Sequence, residues 1–460
     1  MDKIEIEKII ACQRKYFATG ATLPVNKRLD ALRRLQAAMK KYSDRLDEAL
    51  RADLGKSEFE SFMCECGLSE NELVYMIRHT RGFARDRHVS TPLTNFPAKS
   101  FMRPSPYGTV LIMSTWNYPV LLTLDPLIDA LAAGNTAVVK PSAYSPATSA
   151  VLGEMLSDAF RPEEVAVITG GRAENSALLE CDLDYIFFTG SLVVGHEVMR
   201  RAAENLTPVT LELGGKSPCI VDETADVKLA SRRIVFGKYL NCGQTCVAPD
   251  HVYCHKTVLE SFISAVKEEI VRQYGATPLS NELYGKMINK KHFDRVCSLI
   301  DEDKVVFGGA SDASSFKIEP TVMAGVTQDD RVMQEEIFGP LMPIISFDDT
   351  DEVISEINKR PHPLALYIFA RDKSVQQKFL SLVSFGGGCI NDTIMHLSVS
   401  NMGFGGVGGS GMGAYHGRIG FDTFSHVKSI VDRKAFPDVP IRYQPYSAMK
   451  EKGLRFFFEK

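Results

Sequence analysis

The chain has 460 residues, 45% of them apolar and 24% charged, with a formal net charge of −4. That length supports two or three domains with large cores, and the composition is that of an ordinary soluble globular protein. The slight acidity excludes a general nucleic-acid binder, which would carry a basic excess.

The ten cysteines form no CxxC pair and no metal-finger spacing, so no metal is expected. Cys64-Glu65-Cys66 reads as two side chains on one helix. Residues 1–7 lack the apolar core of a secretory signal, and free thiols fit a reducing, cytoplasmic location.

In chain order, residues 2–87 read as helical, with Leu29, Leu32 and Leu35 spaced as on an amphipathic helix. Residues 89–106 are irregular. Residues 108–124 carry no charge and are long enough to raise the question of a membrane span. Trp116-Asn117-Tyr118-Pro119 interrupts that run and Asp125-Pro126 closes it, so a buried strand, a loop and a helix start fit better. Strand and helix then alternate. Strands are expected at 109–113, 136–139, 165–168, 185–188 and 209–213, and helices at 121–133, 145–160 and 193–203. Ser145-Pro146 reads as an N-cap and first helical residue. A second series places strands at 251–254, 304–307, 342–345 and 366–369. Apolar strands joined by helices mean parallel sheets covered on both faces, hence an α/β fold of two domains with a small bridging sheet.

The chemistry centres on Gln244-Thr245-Cys246-Val247-Ala248-Pro249, a cysteine on a tight loop. Taken alone, a cysteine is more often an inert apolar side chain than a nucleophile. Its company changes the reading. Leu211-Glu212-Leu213-Gly214-Gly215, Glu335-Glu336-Ile337-Phe338-Gly339-Pro340 and Thr115-Trp116-Asn117-Tyr118-Pro119 stand in fixed order around it. Together they resemble the signature motifs of the NAD(P)-dependent aldehyde dehydrogenases over about residues 20–435. The glycine-rich stretch 403–417 and the short N-terminus are most similar to the class 3 branch.

The resemblance implies a Rossmann-type cofactor domain (1–86 and 108–212), a catalytic domain (213–405) and a bridging β-flap (87–107 and 420–435), with 101–104 pairing near 424–431. It implies Cys246 as nucleophile, Asn117 as oxyanion donor with the Cys246 N–H, and Glu212 as the base that activates water. Lys140 is matched to the adenosine ribose, Glu336 to the nicotinamide ribose and Phe338 to the ring beside it. Thr115 and Trp116 belong to the same cofactor site, and Tyr118 and Thr245 to the substrate pocket. The substrate implied is a medium-chain aliphatic or aromatic aldehyde, and the assembly a homodimer without membrane or nucleic-acid partners.

Two glycine signals compete for the dinucleotide phosphates. Gly403–Gly408 matches GxGxxG, but no strand leads into it, so it reads as a flexible margin of the site. Gly190, Ser191 and Gly195 follow a strand and open a helix, where free N–H groups favour a pyrophosphate. Ala143 stands where many NAD-preferring relatives place a Glu, which points to use of both NAD and NADP. Cys242 could pair with Cys246 or stay inert, and His251 reads as structural. A CoA-acylating relative would generally lack the base at Glu212, which argues against that alternative.

Overall fold

A computed structural model describes residues 1–459. Three long helices, Lys3–Ala18, Val25–Leu54 and Gly67–Phe83, open the chain. Leu29, Leu32 and Leu35 all point inward with Leu46 and Leu50, so one apolar stripe buries the second helix. Between the second and third helices, Phe62–Cys66 forms a single π-helical turn, a local widening that recurs beside functional sites.

Strands Thr109–Met113, Thr136–Lys140, Val165–Val167, Tyr185–Thr189 and Val209–Glu212 form the parallel body of a six-stranded sheet. Numbered by chain order, they lie third, second, first, fourth and fifth across it. This is a doubly wound sheet with its topological switch between the first and fourth strands. The first, second and fourth are buried along their whole length, which is why they read as unbroken apolar runs.

The seven-stranded sheet runs Val305–Phe307, Thr321–Met323, Leu341–Phe347, His251–His255, Pro218–Val221, Ala365–Phe369, Gly387–Ile390 in spatial order. All neighbours are parallel except the first pair. Three of these strands escape a sequence reading. Pro218–Val221 begins with proline, Thr321–Met323 is three residues long, and Gly387–Ile390 starts with two glycines, none of which is a strong strand signal. A third sheet joins Arg87–Val89, Ala98–Pro106 and Ser425–Arg433, with Phe101 opposite Ile430 and Pro104 opposite Val427. A last helix, Ala448–Phe458, lies beyond every element expected from the sequence. Among the described residues no helix is long and apolar enough to cross a membrane.

Two local features add to the sequence reading. Gly411–Met412, inside the glycine-rich stretch, is the sixth strand of the first sheet, antiparallel to Val209–Glu212 with Gly411 opposite Glu212. A Cβ on Gly411 would lie 2.2 Å from the Leu211 carbonyl oxygen, so the glycine permits a close backbone approach. Ser145 is the N-cap of helix Pro146–Ala159 and Pro146 its first residue, as expected, though the Ser145 hydroxyl makes no capping bond. Asp53 caps the helix from outside, accepting from the Ala147 and Thr148 N–H groups at 3.3 and 2.8 Å.

Candidate active site

The carboxyl ends of the first and fourth strands of a doubly wound sheet flank the crevice where ligands collect. Here the first strand releases Thr115, Trp116 and Asn117, and the fourth releases Gly190 and Ser191. All five line one cleft together with Glu212, Cys246, Glu336 and Phe338. Ser191 is the N-cap of helix Leu192–Glu204 and makes no side-chain capping bond. The first N–H groups of that helix are therefore open at the cleft, as an anionic group requires. Gly195 does not line the cleft. It is buried one turn into the helix, where a Cβ would lie 2.7 Å from Leu213 Cδ2, so it lets helix and strand pack closely.

The loop bearing Cys246 is bent by two successive left-handed residues, Asn241 (φ 52°) and Cys242 (φ 53°). Gln244 pins it: its side-chain Nε2 donates to the Asn241 and Lys286 carbonyls, each at 3.0 Å, and its Oε1 accepts from the Ile288 N–H at 3.0 Å. Asn117 Nδ2 donates to the Gln244 carbonyl at 3.0 Å, and the Tyr118 and Thr245 hydroxyls are 2.6 Å apart. The Asn117–Tyr118 loop is thus stitched to the residues just before Cys246.

Cys246 also forms part of the wall of a second cavity, lined by Met63, Cys64, Leu121, Phe236, Leu240 and Ile394 with Tyr118 and Thr245. Among the described residues no Asp, Glu, Lys or Arg lines that cavity. The thiol therefore stands between a cleft that carries ionisable side chains, Glu212, Glu336 and Arg295 among them, and an apolar one.

Burial shapes the charges. The Cys246 thiol is pushed up to about 12, first by burial and then by Glu336 and Glu212 nearby. Both causes disfavour the thiolate, which is the form that attacks a carbonyl. Glu212 is 2% exposed and neither carboxylate oxygen has a hydrogen-bond partner; burial raises its pKa well above the usual range. Glu336 is pushed up to about 8, by burial first and the Asp250 charge second.

The segment bearing Glu336 is held by residues that no motif announced. Arg295 donates to Glu335 Oε1 and to the Glu336 and Ile337 carbonyls at 3.0, 3.3 and 2.6 Å. Lys216 donates to Asp250 Oδ2 at 2.5 Å and to the Val332 and Glu335 carbonyls at 3.0 and 2.8 Å. Asp250 in turn accepts from the Ile337 N–H at 2.8 Å. Phe338 takes a left-handed backbone (φ 47°) and meets Trp116 edge-on at 5.3 Å. His292, on the same helix as Arg295, lies 4.9 Å from the Trp116 ring.

Lys140 is buried and anchored, its Nζ donating to the Pro141 and Gly170 carbonyls at 2.9 and 2.8 Å. Beside it lies a further cavity lined by Ser142, Ala143, Ser149, Ser157, Thr169 and Glu154. Cys242 is buried apart, with its thiol donating to the Tyr284 hydroxyl at 3.4 Å, and all ten cysteines are free. His251 is buried beside Asp250, and burial pushes it down to about 4. It lines neither cavity at Cys246. Among the described residues, no group of three His, Cys, Asp or Glu is arranged to hold a metal ion.

A doubly wound sheet with an open helix N-terminus at its switch point, joined to a second α/β sheet, has the architecture of a nucleotide-binding enzyme. More closely, residues 1–430 match the model of the aldehyde dehydrogenase family, and the chain belongs to that family. It is 43% identical over 456 residues to the 4,4'-diaponeurosporen-aldehyde dehydrogenase of Staphylococcus aureus, covering 99% of both chains. It is 44% identical over 448 residues to bovine aldehyde dehydrogenase family 3 member B1, covering 97% of this chain and 96% of the relative. A substrate-bound structure of Staphylococcus aureus AldH superposes with a TM-score of 0.97 at 43% identity, over 98% of this chain and 99% of the other. An NAD+ complex of a Bacillus cereus aldehyde dehydrogenase superposes at 0.84 with 26% identity, over 94% and 89%.

Proposed function

We propose that this aldehyde dehydrogenase converts its substrate to a carboxylic acid through a covalent intermediate on Cys246. The observation that carries the proposal is the position of Cys246 in the wall shared by that cleft and the apolar cavity. An apolar aldehyde entering from one side meets the sulfur at its carbonyl carbon, and the other side is open to a dinucleotide. Sγ, its proton having passed to solvent water, attacks the carbonyl carbon as a thiolate. Asn117 Nδ2 has one hydrogen on the Gln244 carbonyl and a second for the developing oxyanion, with the Cys246 N–H as the other donor. One such donor is worth roughly 10²–10³ in rate.

The residues fit a nicotinamide dinucleotide. Open N–H groups after Gly190 and Ser191 suit its pyrophosphate, Glu336 its ribose hydroxyls, and Thr115, Trp116 and Phe338 its ring. Lys140 and the hydroxyl-lined cavity beside Ala143 suit the adenosine half. NAD or NADP, when bound, supplies the hydride acceptor. The acyl group is left on Cys246 as a thioester. Glu212, in its ionised form, then takes a proton from the water that hydrolyses it, and its raised pKa makes that carboxylate the stronger base.

The absence of any charged side chain from the apolar cavity favours medium-chain aliphatic or aromatic aldehydes, and the relative named for a diaponeurosporen aldehyde is consistent with an apolar substrate. The protein acts in the cytoplasm as a homodimer. Its cofactor domain comprises residues 1–86 and 108–212, its catalytic domain 213–405, and its bridging segments 87–107 and 420–435. Cys246→Ala tests the assignment. Dehydrogenase turnover and any esterase turnover are both expected to vanish, since both pass through one thiol; retention of a few tenths of wild-type dehydrogenase activity is incompatible with it.

A further inference from the structure

Lys56 and Glu65 lie outside every motif discussed above, and both side chains are 0% exposed. Lys56 Nζ donates to Glu65 Oε1 at 2.5 Å and to the backbone carbonyl of Asn117 at 3.0 Å. The same ammonium stands 4.0 Å from the Tyr118 ring centroid. Glu65 Oε2 accepts from the Val120 and Leu121 N–H groups at 2.7 and 3.3 Å. One buried ion pair thus grips residues 117, 118, 120 and 121.

The neighbouring Glu60 reaches the other loop. Its Oε1 accepts from the Asn241 N–H at 2.9 Å, while Asn241 Nδ2 donates to the same Asn117 carbonyl at 2.8 Å. The π-helical turn Phe62–Cys66 turns Glu65 inward, and Met63 and Cys64 of that turn line the apolar cavity. A buried ion pair is a poor source of stability, because desolvating both charges offsets much of their attraction. Here its hydrogen bonds fall on the one loop whose orientation decides where Asn117 points.

We infer that Lys56 and Glu65 are positioning residues for the reaction: they hold the Asn117 peptide so that its side-chain amide faces the substrate oxygen over Cys246. The inference rests on the reading of Asn117 as oxyanion donor. Preorganised donors act only when they stand where the charge develops, and a misplacement near 1 Å can cost about 10²-fold.

The test compares four full-length proteins: wild type, Lys56→Met combined with Glu65→Gln, Asn117→Ala, and the triple variant. Removing both charges avoids stranding one ion in the core. The readouts are kcat and KM for aldehyde oxidation, cofactor-free hydrolysis of p-nitrophenyl acetate, and alkylation of Cys246 by iodoacetamide, which develops no carbonyl oxyanion. The paired variant is expected to lose about 10- to 100-fold in kcat for both carbonyl reactions, with cofactor KM unchanged and alkylation within about twofold of wild type. The triple variant should be no slower than Asn117→Ala alone, since residues acting as a unit are not additive. A silent Asn117→Ala would remove the oxyanion reading itself. If Asn117→Ala is slow, the inference is overturned by an unimpaired paired variant, by full additivity in the triple variant, or by alkylation slowed to the same extent. Glu65→Asp covers a failure to fold: it keeps the charge and shortens the reach, so kcat should fall several-fold with little change in melting temperature. An unchanged kcat there also overturns the inference.

Discussion

Cys246, Glu212 and Glu336 are all held toward their protonated forms, because a charge buried without a counter-ion pays the cost of desolvation. A raised carboxyl is a stronger base once ionised, and a thiol held toward its protonated form is less open to adventitious oxidation. We propose that cofactor choice also turns on one residue. Ala143 lines a cavity of serine and threonine hydroxyls in which Glu154 is the one carboxylate among the described residues, paired with Arg45 at 2.7 Å. A Glu at 143 would bind the 2′-hydroxyl and repel a 2′-phosphate; Ala143 does neither. We expect kcat/KM for NAD and NADP to lie within about a hundredfold, a gap of about 2.7 kcal/mol, and Ala143→Glu to move the ratio toward NAD. A wild type preferring NAD by more than that contradicts the argument. That Cys246, Glu212 and Asn117 meet in one cleft was legible in the sequence because the motifs carrying them fix residue type and local context. Lys56, Glu65, His292 and Arg295 were not. Their roles lie in contacts between segments far apart in the chain, and an isolated Lys or Glu usually signals only a solvated surface.

Two short connections, more than any helix or strand, decide the geometry of the site. The Cys246 loop is fixed by left-handed Asn241 and Cys242 and by Gln244, and the Glu335–Phe338 connection by Lys216, Asp250 and Arg295. Burial works against ionised Asp250, but the Lys216, His251 and Lys238 partners outweigh it and hold its pKa well below the usual range. Asp250→Asn keeps the shape and strands Lys216 in the core, which costs about 3–5 kcal/mol for a broken buried pair. The expected result is a clearly lower melting temperature together with a higher KM for cofactor, as the Glu336 segment is released; unchanged values of both would show the pair to be incidental. The strands of the first sheet could be read because they are buried on both faces. The loop geometry could not, since a positive φ at Asn241 or Phe338 leaves no trace in composition.

At the scale of the whole molecule, the two large sheets and the bridging sheet leave strand edges open. Ser425–Arg433 is the outer strand of the bridging sheet and Gly387–Ile390 the outer strand of the seven-stranded one. Val431 is 56% exposed and Ile390 40%, and long exposed edges with apolar side chains invite another chain. Light scattering should give the mass of a homodimer; a monomer mass contradicts the proposal that these edges are covered by a second copy. The central claim concerns the meeting of the two cavities at one sulfur, with Glu212 needed only to release the product. Rapid mixing of Glu212→Gln with aldehyde and NAD or NADP tests it most directly, because the amide keeps the shape of the carboxylate but cannot accept a proton from water. The account predicts a burst of reduced nicotinamide of about one per active site, then near silence, with the acyl group found on Cys246 by intact mass. A linear progress curve at the wild-type rate, with no adduct on Cys246, would contradict it.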